Sequence, residues 1–235
     1  MVIAVQRLTL AQIETAILQI FGYSASTNAP WATAANLYLR INEYLQRLPG
    51  RLGQVAAQLR AEGERLPFSG VPRFDMWRTQ ANLTATSGSA TVHFPADYDH
   101  YIGFWDSTNS RPVYPIETVG YFHEDLRTQS AGPPEYIELL GFVTNGSTWV
   151  RQGLVWPPTA SGITPVIQCT YWRLPATMPG TTPTAEYPDI DPKWESIAIY
   201  GTVVDLSRPS EPEFSRYQQL EHEMLMEMAR SARGV

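Results

Sequence analysis

One cysteine, Cys169, stands in 235 residues. That excludes an intrachain disulfide and any zinc site built on several thiolates. Charge is also sparse: 17% of residues carry one, against 43% that are hydrophobic. That balance is globular, and global disorder is excluded. Long apolar runs are missing as well. The opening stretch MVIAVQRLTLAQ is too short in its apolar part for a signal peptide, and no window approaches a membrane span. The expectation is a soluble protein made in a reducing compartment, with Asn82-Leu83-Thr84 and Asn145-Gly146-Ser147 as chance glycosylation patterns.

A basic excess is lacking too. The formal charge is −6, divided as +2 over residues 1–66, −3 over 67–175 and −5 over 176–235. Nothing forms the cationic stripe that phosphate neutralisation requires, which disfavours tight general binding of nucleic acid. An acidic wall that DNA slides past without sticking remains compatible with these numbers.

Catalytic signatures are equally absent. There is no Gly-rich phosphate loop, dinucleotide fingerprint, nucleophile elbow or HExxH. His100 beside Asp97 and Asp99, and His123 beside Glu124 and Asp125, are the best acid/base or metal candidates. Neighbours on a strand point to opposite faces, however, so both runs read as solvated turns. Glu221-His222-Glu223 reads as a solvated helix face. Cys169, between Ile167 and Tyr171, reads as a buried, inert thiol. Glu135 and Glu138 could serve a glycosidase only with another carboxylate across a β cleft. No enzyme, cofactor or metal is expected.

What is present is a division between helical and β patterning, an α+β chain. Thr9-Leu10-Ala11-Gln12 has capping-box spacing, followed by Leu10, Ile13, Ile17 and Ile20 at helical intervals up to Gly22. Asn28-Ala29-Pro30 starts a second helix with Trp31, Ala34, Tyr38, Ile41, Leu45 and Leu48 on one face. Pro49-Gly50 is read as a break, with Leu52, Val55 and Leu59 on a shorter third helix ending near Gly63. Strands are expected at 81–86, 90–94, 100–105, 112–116, 135–142, 148–156 and 164–173, an antiparallel sandwich or barrel. The first two, joined across Ser87-Gly88, carry the signal of a hairpin. Asp191-Pro192 caps a helix through about Leu206, with Trp194, Ile197, Ala198, Gly201 and Val204 on one side.

The expected domains are therefore a helical bundle from 1–66 and 192–206, a β module over 67–175, a Pro-rich connector at 176–191 and a C-terminal helix within 207–235. That last helix opens on Ser210-Glu211-Pro212-Glu213, another capping-box spacing. Its stripe is Phe214, Tyr217, Leu220, Met224 and Met228. Two readings stay open: the helix folds back on its own domain, or it docks in a groove of another protein, where adaptable Met side chains are favoured.

Order and motifs together resemble the head–tail connector (adaptor) proteins of tailed bacteriophages. The residues that carry the resemblance are Thr9-Leu10-Ala11-Gln12, Phe74-Asp75-Met76-Trp77, Phe94-Pro95-Ala96-Asp97-Tyr98, Gly132-Pro133-Pro134-Glu135-Tyr136, Trp156-Pro157-Pro158, Tyr171-Trp172-Arg173-Leu174-Pro175 and Pro192-Lys193-Trp194. The layout covers roughly residues 8–206. Phe94 stands where the family pattern has Leu, and one extra residue lies in the Gly-Pro-Pro turn.

The resemblance implies a structural virion protein at the neck. Such proteins form a ring, of about twelve copies, beneath the portal protein. They extend the DNA channel without reading sequence, and they present a surface to the tail or a further neck protein. It also implies portal docking by the C-terminal helix, hence by Phe214, Tyr217, Leu220, Met224 and Met228. Two alternatives from other classes remain: a Trp-rich β module that binds carbohydrate through exposed aromatic platforms, and a glycan-active protein using Glu135 or Glu138.

Overall fold

Thr9 and Gln12 close the capping box that the sequence announces. The Gln12 amide donates to Thr9 Oγ1 at 3.2 Å, and the Thr9 amide donates to Gln12 Oε1 at 2.8 Å. The helix they start, α1 (Leu10–Ile20), buries Leu10, Ile13, Ile17 and Leu18. The computed structural model describes residues 7–23, 33–66, 74–85, 90–116 and 130–232. Asn28, Pro30 and Trp31, the Ser87-Gly88 turn, the His123–Asp125 run and Arg233 lie outside the described residues.

The second and third helices expected from the sequence are one, α2 (Ala34–Ala61), with Pro49 inside it. A proline deletes one backbone hydrogen bond and crowds the preceding turn. Here the apolar face holds its phase across that defect, with Ile41, Tyr44, Leu45 and Leu48 before Pro49 and Leu52, Val55, Ala56 and Leu59 after it, all buried. Packing of that continuous face outweighs the local break. Ala34, expected on the face, is exposed, and Leu37 takes its place.

After a 3-10 turn at Pro192–Trp194, with the Asp191 carboxylate accepting from the Lys193 amide, come α3 (Ser196–Leu206) and α4 (Pro212–Ser231). α3 packs on α1 and α2, and α4 packs on α2 and α3. The chain between sheet and α3 is pinned along this bundle. Asn42 exchanges two 2.8 Å hydrogen bonds with the Met178 backbone, and the Leu10 amide donates to the Glu186 carbonyl at 2.8 Å. Residues 1–76 and 175–235 make one compact unit, and 77–174 make a second.

The second unit holds all seven expected strands, shifted by a few residues at their ends: β1 (Arg78–Thr84), β2 (Thr91–His93), β3 (Tyr98–Asp106), β4 (Arg111–Ile116), β5 (Tyr136–Asn145), β6 (Thr148–Trp156) and β7 (Val166–Arg173). They form one curled, mixed sheet, a half-barrel, in the order β1-β7-β3-β4-β5-β6-β2. All neighbours are antiparallel except β4 and β5, so the antiparallel expectation is corrected at that pair. The expected β1–β2 hairpin is corrected as well. β1 pairs with β7 and β2 with β6, leaving the two at opposite edges that the curl brings near each other.

Alternation decides which side is filled. Leu83, Val92, Phe104, Val113, Ile137, Val155, Ile167, Cys169 and Tyr171 point into the concave face and make its core. Phe94 lies there too, 4.5 Å from the Tyr98 ring and 6.0 Å from the Phe104 ring. Burial pushes the Cys169 thiol up to about 12, consistent with its expected inertness.

Candidate functional site

The C-terminal helix carries the residues that the sequence singles out, and α4 sits on its own unit. Its fully buried positions are Glu221, Leu225, Met228 and Ala229, a 4-3-1 stepping that makes one face of a helix. This face is turned about one residue from the stripe read in the sequence. Met228 belongs to both and is completely buried, whereas Phe214, Tyr217, Leu220 and Met224 are half-buried. The ring of Tyr217 lies 5.9 Å from that of Tyr200 on α3, and the Arg216 guanidinium lies 5.6 Å from its centre. Glu211 is the N-cap residue of α4, with no side-chain cap bond, so the expected Ser210–Glu213 capping box is corrected. Instead the Arg208 amide donates to Glu211 at 3.0 Å.

Glu221 is the residue that sequence reasoning missed. Expected in solvent, it is 4% exposed. Its Oε1 accepts from Tyr44 Oη at 2.8 Å and from Arg51 Nη1 at 2.6 Å. Arg51 reaches with its other nitrogen to Asp205 Oδ1 at 2.6 Å, and Arg47 holds Asp205 Oδ2 at 2.7 Å. One guanidinium thus joins α2, α3 and α4, and a buried carboxylate is tolerable only with such partners. Burial and the neighbouring Glu221 hold the Tyr44 hydroxyl well above its ordinary value. A second clamp lies nearer the C-terminus, where Arg230 grips Glu64 through two nitrogens at 2.5 and 3.1 Å. The periodicity of Glu221 with Leu225 and Met228 was the available signal. Glu223 is exposed and accepts from Gln219 at 2.8 Å. His222 is half-buried and lines a groove with Arg51, Gln54, Val55 and Gln58 of α2, so the solvated reading holds for Glu223 and is corrected for His222.

The remaining candidates do not converge. His100 is exposed and stacks on Tyr101 at 4.9 Å, while Asp97 accepts from the Tyr171 hydroxyl at 3.0 Å. Glu135 is exposed and pairs with Arg111 at 3.2 Å. Glu138 is buried, and its cross-strand neighbours are Leu154 and Ile116, neither of them an acid. Among the described residues, no group of three His, Cys, Asp or Glu side chains is placed to hold a metal ion, and no helix is long and apolar enough to cross a membrane.

The β unit leaves large apolar side chains in solvent. Trp105 and Tyr114 are exposed on its strands, and Phe142 and Trp149 stand at 62% and 66% exposure near the β5–β6 turn.

Comparison with known proteins adds one match. The model of a family described as SU10 adaptor protein matches residues 23–234, which leaves out α1 and takes in α2, the sheet, α3 and α4. No curated protein matches the chain.

Proposed function

Because the chain belongs to the SU10 adaptor protein family, we propose that it is a structural component of a phage virion, set at the neck as a ring between portal and tail. The observation that carries this reading is the family match over nearly the whole chain, helical unit and half-barrel together. The matched residues include the motifs from Phe74-Asp75-Met76-Trp77 through Pro192-Lys193-Trp194 on which the resemblance was drawn; Thr9-Leu10-Ala11-Gln12 precedes them.

In this reading the chain supplies surfaces rather than a reaction. Copies of it surround the DNA channel, and the net charge of −6 keeps passing DNA from sticking. The half-exposed side chains Phe214, Tyr217, Leu220 and Met224 on α4 offer an apolar surface to the portal, with the helix anchored from behind by Met228 and Glu221. A further neck or tail protein takes the opposite end of the ring. This proposal has no role for Glu135 or Glu138 as catalysts.

Quantitative mass spectrometry of gradient-purified particles from the source encoding this chain tests it. Co-sedimentation at about a dozen copies per particle, in fixed ratio to a portal, is the expected result. Absence of the chain from particles would overturn the reading.

A further inference from the structure

β1 stands at one edge of the half-barrel and pairs on one side only, with β7. Its seven residues run in unbroken register, from Arg78 opposite Trp172 to Thr84 opposite Val166. Along such a ladder every second residue turns its N–H and C=O away from the partner strand. Among the described residues no hydrogen bond reaches that outer row. β2, at the other edge, is three residues long and makes no pair with β1. Edge strands are usually protected by proline, lysine, a bulge or a covering loop. The stretch RTQANLT has no proline, no lysine and no bulge.

The edge has two unlike faces. Thr79, Ala81 and Leu83 stand opposite Tyr171, Cys169 and Ile167 of the concave core. Leu83 is buried, but Thr79 and Ala81 are small and half-buried, so the core thins toward its β1 side. Arg78, Gln80, Asn82 and Thr84 alternate with them and are exposed on the convex face. An unpaired backbone row accepts an extended segment as a further strand, and the flanking side chains select its faces. The segment that fits here is apolar on one face and small or polar on the other.

The sequence itself carries such a segment. Met1, Val2, Ile3, Ala4, Val5 and Gln6 include no charged side chain, no proline and no glycine, and β-branched residues favour strands. In extended form Met1, Ile3 and Val5 share one face, and Val2, Ala4 and Gln6 share the other. The chain sets out for this segment from a fixed point. Arg7 Nε donates to Glu195 Oε1 at 2.7 Å, Arg7 Nη2 donates to the Pro188 carbonyl at 2.6 Å, and the Leu8 amide donates to Glu195 Oε2. Glu195 is fully buried. Six extended residues reach about 20 Å, enough to line most of β1.

We infer that residues 1–6 of one copy add as a strand to the free β1 edge of the next, with Met1, Ile3 and Val5 beside Thr79, Ala81 and Leu83. The donor is a second copy, because the chain that owns residues 1–6 leaves its own edge open. Arm and edge are different surfaces, so the contact runs head to tail. The inference rests on the ring reading above and supplies one contact between neighbours. Residues 1–6 lie outside the family match, so this contact is additional to any surface that the matched residues supply.

Disulfide trapping tests the contact on the full chain, since the native thiol is buried. Ala4→Cys marks the arm, and Gln80→Cys or Asn82→Cys marks the edge on the same convex face. Under oxidation, a chain carrying Ala4→Cys with either edge substitution should give a ladder of covalent multimers. A mixture of single variants, one arm and one edge, should stop at dimers. Adding Ile3→Asp with Val5→Asp should reduce the ladder by roughly tenfold or more while circular dichroism stays unchanged.

A doubly substituted chain that closes its disulfide internally would overturn the inference, because the arm would then serve its own edge. So would Gln80→Cys chains that link to one another, since edge would then pair with edge. The absence of a ladder from both pairs, or a ladder that Ile3→Asp and Val5→Asp leave intact, would do the same. Particles that take up the Ile3→Asp, Val5→Asp chain at the parent copy number would remove this contact, yet leave the ring standing. Absence of the parent chain from particles would remove the ring itself, and this contact with it.

Discussion

The hydroxyl of Tyr44 reaches Glu221 across 177 positions of sequence, at 2.8 Å, inside the helical unit. The Tyr44 ring gets there by lying over α3 at Gly201, where an added Cβ would overlap it. A helix interior ordinarily penalises glycine. Here the missing side chain is the space that admits an aromatic ring.

Gly201→Ala is accordingly expected to destabilise the helical unit by about 1–3 kcal/mol or more, the usual range for overpacking. Gly50→Ala on α2 is the matched control. Nothing lies within 4 Å of its added methyl, so it should gain up to about 1 kcal/mol from helix propensity. Urea unfolding followed by circular dichroism reads both, and a neutral Gly201→Ala would refute the packing account.

Arg51→Ala should be more damaging. It removes the one group shared by Asp205 and Glu221 and leaves a buried carboxylate with only a phenol for company. Breaking a buried pair from one side costs about 3–5 kcal/mol. Limited proteolysis should then cut between α3 and α4 before any cut appears in the half-barrel. Arg40→Ala, which breaks an exposed pair with Glu43, should change nothing measurable.

Alkaline pH should loosen the same helices. Below the ordinary tyrosine value of 10.0, Tyr44 is protonated in folded and unfolded chains alike, and its contribution is complete. Above that value the unfolded chain gives up the proton while the folded chain, with its hydroxyl held well higher, keeps it, so stability falls as pH rises. Tyr38, pushed up to about 12 by burial and Glu14, adds to the same slope. Tyr44→Phe should cost about 1–3 kcal/mol at neutral pH and flatten the alkaline loss. An unchanged slope would mean Tyr44 is not its source.

Leu220→Asp combined with Met224→Asp should leave the isolated chain folded, because both side chains are only half-buried on α4. The docking proposed for α4 predicts that the same pair abolishes co-sedimentation with a portal. Unfolding of the isolated variant would assign these side chains to the protein's own core instead.

Much of this was legible because it was local. The Thr9–Gln12 box, the Asp191 cap and all seven strands follow from spacing within a few residues. The failures share a cause, which is that distant partners decide. Ser87-Gly88 looks like a hairpin turn, yet β1 takes β7 as its neighbour, and each strand end reached by its pairing lies far along the chain. Pro49 looks like a stop, yet the buried residues on both sides hold one helix together. Glu221 looks like a solvated acid because its partners Tyr44 and Arg51 lie some 170 residues away. The exposed Trp105 and Trp149 could not be told from the buried Trp77 and Trp172 until the strands had faces.

The buried carboxylate on α4 also fixes alignment. A purely apolar seam between two helices has near-equivalent seatings one turn apart. Sliding α4 by a turn would place Tyr217 or Leu225 where Glu221 now meets the Arg51 guanidinium, leaving the cation beside a side chain with no negative charge to pair with it. The C-terminal helix therefore has one seating on its unit, and whatever surface it presents to the outside is presented at one fixed height and rotation.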